Sequence, residues 1–390
     1  MKLDLLRDRL VRWCNQNSGS HNYGGLETMR ALLAADFSKL PGAAVEHLPL
    51  ADTPARLLRV RVRPDAPVQL LFSGHYDTVY GPDDPFQRCE QLSPERLRGP
   101  GVIDMKGGLV VMLAALEEFE RLGHNNRIGY EILLNPDEEI GSHGAHPFFV
   151  EAAARYQLGL VFEPARPGGE LVHSRKGTGN FTVTCHGRAA HAAGGAKHGR
   201  NAIAALAEFL VAAHRLPAEL DGVLLNIGAI RGGGPATNVV PDFAEAKLDV
   251  RITHLTDRTA VFAKFDDYAA PIRAREGFRL EVAGGFSRPP MERSATADAV
   301  FAAWQQCAGE LKLPPLQWIH AGGASDANNL ATAGLPCLDG LGPMGDRLHS
   351  PEEWIHLPSL FERAQIAARF LKKVDAGDFT VPTAGRNAER

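Results

Sequence analysis

The chain has 390 residues, 44% of them hydrophobic and 23% charged, with a formal net charge of −4. This length is enough for two domains with separate cores. The charge balance argues against a nucleic-acid-binding protein, which needs a concentrated basic face. No apolar run reaches the roughly 18 residues of a membrane span.

The start of the chain and its cysteines favour a cytoplasmic protein. The opening MKLDLLRDRLVRWCNQ lacks the continuous apolar segment of a secretory signal. None of the cysteines belongs to a C-x-x-C pair, so neither a disulfide framework nor a thiolate zinc site is expected. The cysteines are Cys14, Cys89, Cys185, Cys307 and Cys337.

The first part of the chain alternates helices with strands. Apolar residues at helical spacing predict a helix over residues 25–40, and another is expected just after Asp104. Short apolar runs at 68–73, 128–134 and 158–162 are typical of strands that are buried on both faces. This alternation predicts an α/β fold with a mostly parallel sheet flanked by helices.

A different pattern follows, in the β-α-β-β-α-β order of a ferredoxin-like unit. The predicted elements are strand 181–185, helix 201–216, strands 223–230 and 243–252, helix 256–275 and strand 278–282. Helix–strand alternation then resumes, with helix 295–311, strand 336–338 and helix 357–374.

The change of pattern predicts a domain inserted into another. We assign residues 1–176 and 288–390 to a catalytic domain and residues 177–287 to the inserted domain. The polar tail from Asp375 has no periodic apolar face, and we expect it to be loosely held.

Acidic and imidazole side chains recur along the predicted catalytic domain. Each lies where a predicted strand ends and a turn begins, and there an α/β sheet delivers side chains to a shared crevice. Imidazoles and carboxylates that converge in this way would form a two-metal hydrolytic centre, with zinc favoured over cobalt or manganese. The series consists of His75, Asp77, Asp104, Glu138, Glu139, Glu163 and His349.

Individual members of the series also have ordinary explanations. His75 and Asp77 could belong to a strand-end turn, although Asp77 could equally orient the His75 ring through its second N–H. Asp104 could be a helix N-cap, and His349 could be a surface histidine. The combination, and no single member, indicates a metal centre.

Seven motifs in a fixed order resemble those of the di-zinc aminoacylase/carboxypeptidase family. Its members include glutamate carboxypeptidase, acetylornithine deacetylase and succinyl-diaminopimelate desuccinylase, and the first branch is the most similar. The resemblance runs from about Leu3 to Val374. The motifs are SGHYDT, GVIDMKGG, NPDEEIGS, VFEPA, GRAAHA, GGASDA and LHSPEE.

The resemblance implies a zinc-exopeptidase-like catalytic domain that binds two zinc ions, or cobalt or manganese. His75 and Glu163 would hold one ion, His349 and Glu139 would hold the other, and Asp104 would bridge them. It also implies that the inserted domain is a dimerisation or lid domain and that the protein is a homodimer.

The resemblance further assigns roles outside the ligand set. Glu138 takes the role of general base, and Asp77 takes the role of orienting carboxylate. The peptide bond between Asp104 and Met105 is expected to be cis.

Candidates in the inserted domain come from the same resemblance. His191 matches a histidine that reaches into the partner's site and polarises the scissile carbonyl, and Asn238 assists it. Ala193 and Ala196 replace a glycine and a proline that the family often has, and this departure concerns the loop around His191.

The remaining candidates concern the substrate. Arg251 and Arg288 match positions that bind a carboxylate, which a guanidinium can hold bidentately, although either could be a surface or hinge arginine. The loop with Gly323 and Ser325 is expected to shape the site through backbone contacts.

The expected reaction is hydrolysis of an amide or peptide bond next to a C-terminal amino acid such as glutamate. The substrate would be an N-acyl amino acid or a short peptide. An N-acyl-amino-acid deacylase of the acetylornithine deacetylase type is the alternative. A catalytically silent homologue with a binding role is a third possibility, and the complete donor set argues against it.

Overall fold

The computed structural model describes residues 2–51, 53–121, 126–193 and 197–382. Its helices are α1 (Leu3–Cys14), α2 (Tyr23–Phe37), α3 (Lys106–Glu120), α4 (His146–Ala153), α5 (Ala202–Ala213), α6 (Leu216–Glu219), α7 (Asp257–Arg273), α8 (Ala295–Glu310), α9 (Asp326–Thr332) and α10 (Leu357–Ala376). Its strands are β1 (Ala44–Pro49), β2 (Arg56–Val62), β3 (Val68–His75), β4 (Glu90–Ser93), β5 (Arg96–Arg98), β6 (Ile128–Asn135), β7 (Leu158–Val161), β8 (Leu171–Arg175), β9 (Gly177–His186), β10 (Ala190–His191), β11 (Leu224–Gly232), β12 (Val239–Val240), β13 (Phe243–Ile252), β14 (Arg279–Arg288), β15 (Trp318–Ala321), β16 (Cys337–Leu338), β17 (Gly345–Asp346) and β18 (Trp354–His356).

The chain divides into two compact units, each with its own hydrophobic core. The main unit comprises Met1–Ser174, Arg293–Ala321 and Ser325–Arg390. The inserted unit comprises Arg175–Glu292 and Gly322–Ala324. Their assignment as a catalytic domain and a dimerisation domain stays a prediction.

A six-stranded sheet in the order β1-β2-β6-β3-β7-β16 organises the main unit. Strands β6, β3, β7 and β16 run parallel, whereas β1 and β2 are antiparallel additions at one edge. Strand β6 is buried along its whole length, as a mostly apolar strand with a neighbour on each side in a covered sheet should be. The predicted α/β class with a mostly parallel sheet is confirmed.

Strands β1 and β2 lie outside the elements that the sequence predicts. The arginines of β2 (RLLRVRV) interrupt its apolar run. In the structure Arg59 lies 3.4 Å from both Glu131 and Glu151, and Arg61 pairs with Glu46. Because these carboxylates come from other elements, the local pattern does not reveal that the arginines can be accommodated in a sheet.

Helix α3 packs closely against the end of β7. A Cβ added to Gly108 would lie 1.9 Å from the carbonyl oxygen of Phe162, so this position requires glycine. The close approach brings the loop before α3, which carries Asp104, to the carboxyl end of β7.

The inserted unit contains an antiparallel sheet in the order β11-β13-β9-β14, with α5 and α7 packed on it. The predicted β-α-β-β-α-β order and its ferredoxin-like topology are therefore observed. Aromatic rings fill the core, with Phe265 centred 5.2 Å from Phe181 and 5.9 Å from Phe209.

The expectation of a loose tail is wrong for residues 375–382. Helix α10 continues to Ala376, Val381 is buried, and the ring of Phe379 lies 5.7 Å from that of Phe370. Single apolar side chains can be buried without a periodic pattern. Residues 383–390 lie outside the described part of the chain. Among the helices described, none has both the length and the hydropathy that crossing a membrane requires.

Candidate active site

Three neighbouring parallel strands carry part of the predicted series. Strand β3 ends at His75, and Asp77 follows two residues later. A short 3-10 turn, Glu138–Ile140, follows β6, and Glu163 follows β7. Because β3 lies between β6 and β7, the carboxyl ends of these strands bring the side chains to one edge of the sheet.

Asp104 and His349 reach the same place from loops, so the expectation that every member follows a strand is wrong. Asp104 lies between β5 and α3, and its peptide bond to Met105 is cis, as the resemblance implied. His349 lies between β17 and β18 with φ of 59°, a value that is uncommon outside glycine.

Four distances divide the predicted ligands into two groups that share Asp104. In the first group, His75 Nε2 lies 3.2 Å from Asp104 Oδ1 and 3.7 Å from Glu163 Oε1. In the second, His349 Nε2 lies 3.1 Å from Asp104 Oδ2 and 3.3 Å from Glu139 Oε2. The two carboxylate oxygens of Asp104 therefore face different groups.

The donor atoms and their spacing fit two metal ions. Donors bound at about 2.0–2.2 Å to a tetrahedral zinc lie roughly 3.3–3.6 Å apart, which is close to the four distances above. Oε1 of Glu139 is buried and has no hydrogen-bond partner among the described residues, and a cation would satisfy it. Ligand atoms of His75, Asp104 and Glu139 all lie within 4.8 Å of one another.

Negative charge dominates the surroundings of both imidazoles. Burial disfavours the charged form of His75, but hydrogen bonds to Asp104 and Asp77 outweigh it and raise the pKa of His75 well above its usual value. Hydrogen bonds to Asp104 and Glu139 raise the pKa of His349 to about 11. Burial and the nearby Asp104 charge raise the pKa of Glu139 to about 7. Bound dications would compete with these protons for the same donor atoms.

Asp77 is fully buried and connects the histidine to the glutamate pair. Its Oδ1 lies 3.2 Å from Nδ1 of His75. Its two oxygens accept backbone N–H bonds from Glu138 at 3.2 Å and Glu139 at 3.1 Å, and Oδ2 accepts the hydroxyl of Ser20 at 2.8 Å. This geometry suits a residue that holds one ring nitrogen of His75 and presents the other to a metal.

The turn that carries Glu138 is fixed at its far end as well. Glu138 is 8% exposed, and Gly141 takes φ of 109°, which requires glycine. Ser142 donates its hydroxyl to the buried carboxylate of Asp326 on α9. The motifs NPDEEIGS and GGASDA are thus joined by a contact within the main unit.

Sequence reasoning missed several residues that hold this site together. Ser20 lies in no motif, Ser142 lies in a motif without an assigned role, and Asp326 lies in the loop that is expected to act through backbone contacts alone. Glu353, the last acid of LHSPEE, is fully buried and accepts hydrogen bonds from the loop of Asp104. Only its place in a motif could have drawn attention to Glu353.

Ser325 serves as a helix cap. Its hydroxyl accepts from the N–H of Ala327 and donates to Asp339, and its N–H donates to the side chain of Asn328. The hydroxyl and the N–H of Ser325 are both engaged in the main unit, and its expected backbone contact with the substrate stays a prediction. Gly323, in the inserted unit, accepts a 3.1 Å hydrogen bond from Arg175.

The inserted unit brings His191 and Asn238 together. Strands β10 and β12 pair His191 with Val239, and the carbonyl of Asn238 accepts the N–H of Ala192 at 2.9 Å. Nδ1 of the exposed His191 lies 3.2 Å from the N–H of Ala193, which donates to it. Ala196 lies outside the described residues.

The two arginines flank one position on β9. Thr178 pairs with Arg251 on β13 and with Arg288 on β14, so both arginines share a row of the sheet. Arg251 is held bidentately by Asp249 at 2.7 and 2.9 Å, and Arg288 is buried.

Comparisons with known proteins agree with this geometry. Residues 71–373 match the family described as peptidase family M20/M25/M40. The chain belongs to this family. It is accordingly a metal-dependent hydrolase of amide or peptide bonds, and the resemblance that its motifs carry is confirmed.

Two relatives and one solved structure show how similar this M20-family chain is to known proteins. It is 26% identical to carboxypeptidase G2 of Pseudomonas sp. (strain RS-16) over 79% of this chain and 74% of the relative. It is 28% identical to succinyl-diaminopimelate desuccinylase of Gluconobacter oxydans (strain 621H), over 88% and 91%. Aminopeptidase PepT from Bacillus cereus ATCC 10987 shares the fold, with a TM-score of 0.81, 20% identity and coverage of 96% and 99%.

Proposed function

We propose that this M20-family hydrolase cleaves the amide bond of an N-acyl amino acid or short peptide whose leaving amino acid, such as glutamate, has a free carboxylate. The two donor groups that share Asp104 are the observation that carries the proposal. The 26% identity with carboxypeptidase G2 supports a carboxypeptidase.

The proposed metals are two zinc ions per chain, with cobalt or manganese as alternatives. His75 and Glu163 would hold one ion, His349 and Glu139 would hold the other, and Asp104 would bridge them. When bound, the ions would lower the pKa of a water molecule at the site and polarise the scissile carbonyl.

The side chains of this protein would then move the protons. Glu138 accepts a proton from the attacking water and returns it to the leaving amine nitrogen. Asp77 keeps His75 oriented throughout. His191 donates a hydrogen bond from Nε2 to the developing oxyanion. The N–H of Ala193 donates to Nδ1, which favours the tautomer with its proton on Nε2.

We assign the substrate carboxylate to Arg251 and Arg288, assisted by Asn238 and the backbone at Gly323. The shared row of the two arginines on the sheet supports this assignment. Since Arg251 is already paired with Asp249, a substrate carboxylate would have to compete for that guanidinium.

An N-acyl-amino-acid deacylase of the acetylornithine deacetylase type is the second candidate. The 28% identity with succinyl-diaminopimelate desuccinylase supports it. The two functions differ in the acyl side of the substrate: the deacylase would act on a simple acyl group such as acetyl or succinyl, and the carboxypeptidase on a peptidyl or folyl-type group.

A hydrolysis screen with zinc, cobalt or manganese tests the proposal. N-acyl amino acids, dipeptides and folyl-type amides are compared with the same compounds in which the amine-side carboxylate is converted to an amide. A carboxypeptidase loses most of its activity on the blocked compounds. Hydrolysis confined to N-acetyl and N-succinyl amino acids would instead favour the deacylase, and no hydrolysis with any of the three metals would contradict both.

We also propose that the protein is a homodimer formed through the inserted unit. Strand β11 is an edge strand on which Leu224 and Ile230 are 52% and 57% exposed. Exposed edge strands readily pair with another chain, and a second copy related by a two-fold axis would cover this one. Light scattering should give twice the mass of the chain, and Ile230→Lys should reduce it. A monomer at micromolar concentration would contradict this assembly.

A cytoplasmic location completes the proposal. The five cysteines are free thiols, as is common in a reducing compartment. Cell fractionation tests this, and recovery in an extracytoplasmic fraction would contradict it.

A further inference from the structure

Glu353 is a fully buried carboxylate to which the proposed reaction gives no role. Its Oε1 accepts the backbone N–H groups of Ile103 at 2.9 Å and Asp104 at 3.2 Å. Its Oε2 accepts the N–H of Gly101 at 3.1 Å and the hydroxyl of Tyr80 at 2.6 Å. A carboxylate offers about four acceptor positions, so these donors use its full capacity.

These contacts join three segments that each carry a predicted metal ligand. Tyr80 follows β3, which ends at His75, and its hydroxyl also lies 2.9 Å from the carbonyl oxygen of Ser350. The second segment is the loop that ends at Asp104. The third segment is the one that contains His349 and Glu353 itself. Residues far apart in sequence therefore meet on one buried side chain within the main unit.

We propose that Glu353 is a positioning residue that fixes Asp104 relative to His75 and His349, and so sets the metal affinity of both sites. This inference rests on the proposed metal centre. Because Asp104 faces His75 with one oxygen and His349 with the other, any displacement of its loop changes both donor groups together. Partners just outside the ligands typically change metal affinity by about 10–100-fold.

The substitution Glu353→Gln tests this role with little change in volume. The amide keeps one acceptor oxygen but turns an NH2 group towards N–H donors on the other side. A buried donor then faces another donor, which leaves N–H groups of the Asp104 loop without an acceptor. Glu352→Gln is the matched control, because Glu352 is the exposed neighbour and its substitution removes the same charge. Tyr80→Phe removes one of the four donors and is the milder variant.

Zinc titration of the chelator-stripped proteins, followed by calorimetry, measures the effect directly. The wild type should bind about two zinc ions per chain. Glu352→Gln should bind the same number with the same affinity as the wild type. Glu353→Gln should bind both ions about 10–100-fold more weakly. Tyr80→Phe should show a smaller loss in the same direction. Circular dichroism of each metal-free variant reports whether the fold is intact.

A purely structural role for Glu353 gives a different result. It would lower the thermal stability of the metal-free variant while the zinc affinity stayed at the wild-type value, and this outcome overturns the proposal. Should Glu353→Gln fail to fold, wild-type affinity in Tyr80→Phe overturns it instead. If the wild type binds no zinc, the proposed metal centre itself is contradicted. That result is distinct from an unchanged zinc affinity in Glu353→Gln, which contradicts only the positioning role.

Discussion

The main and inserted units differ in how deeply they bury most of their candidate residues. In the main unit most candidates lie in a network of buried hydrogen bonds, with Asp77 and Asp104 0% and 8% exposed, although the side chain of His349 is 52% exposed. In the inserted unit His191 and Asn238 are exposed and Arg251 is half-buried, whereas Arg288 is buried. A preorganised buried site suits a metal, whereas exposed groups suit a substrate that arrives from solvent.

The cores of the two units also differ in the groups that they bury. The inserted unit has an apolar core with clustered phenylalanine rings. The main unit adds buried carboxylates that face one another across His75 and His349. Buried like charges are costly unless a cation or protons compensate them. We therefore expect metal binding to change the stability of the main unit. We expect the charge of the substrate to act on binding by residues of the inserted unit.

The largest expected effect concerns Glu138. Glu138→Ala should lower kcat by about 10²–10⁴-fold, because it removes the proposed proton acceptor, and should leave the metal content unchanged. The adjacent Glu139→Ala is the contrasting variant, since it should lose metal as well. Steady-state kinetics with elemental analysis checks both. Substantial activity in Glu138→Ala would show that another residue is the base.

The next effect concerns His191. His191→Ala should lower kcat by about 10²–10³-fold, because it removes an oxyanion donor. His198→Ala, a change at an exposed histidine in the same loop region, should leave kcat unchanged.

Mixing the two inactive variants tests whether His191 acts on the partner's site. Equilibrated mixtures of His191→Ala and Glu138→Ala chains should recover part of the activity, because a mixed dimer contains one complete site. No recovery after verified subunit exchange would count against action across the dimer.

Metal removal should separate the two units by stability. A ligand present at about 100 times its Kd stabilises a fold by about 2.7 kcal/mol, which corresponds to roughly 5–10 °C in Tm for a unit of this size. Chelation should lower the Tm of the main unit by that amount and leave the inserted unit unchanged. Calorimetry with and without chelator measures the two unfolding transitions. An equal shift in the Tm of both units would contradict the expectation that metal stabilises the main unit alone.

The smallest expected effect concerns Arg251. Arg251→Ala should raise KM for carboxylate-bearing substrates by about 10–100-fold, the value of a charge-assisted hydrogen bond, with little change in kcat. Asp249→Asn should lower KM, because it releases the guanidinium from its present partner. Unchanged KM in both variants would assign the substrate carboxylate elsewhere.

The sequence predicts elements that local pattern alone specifies. Strands β3, β6 and β7 are apolar runs, and the His75, Glu139 and Glu163 positions follow from where those runs end. Strand β2 was missed because its arginines are compensated by Glu46, Glu131 and Glu151. Patterns within a short window carry no information about such distant partners.

The sharing of Asp104 between two donor groups shows the same limit. Spacing along the chain cannot bring it near His349, 245 positions away, and only the resemblance implied their meeting. Ser20 carries no local signal, and Glu353 carries only its place in a motif, because their function consists of contacts between loops. The burial of Val381 was missed because a single apolar residue forms no pattern.

Zinc stoichiometry in two variants tests the shared role of Asp104 most directly. The wild type should hold about two ions per chain, His349→Ala about one, and Asp104→Ala almost none, since Asp104 belongs to both donor groups. Elemental analysis after dialysis against trace zinc gives these values. Two ions retained by Asp104→Ala, or a single ion in the wild type, would contradict a bridged two-metal centre.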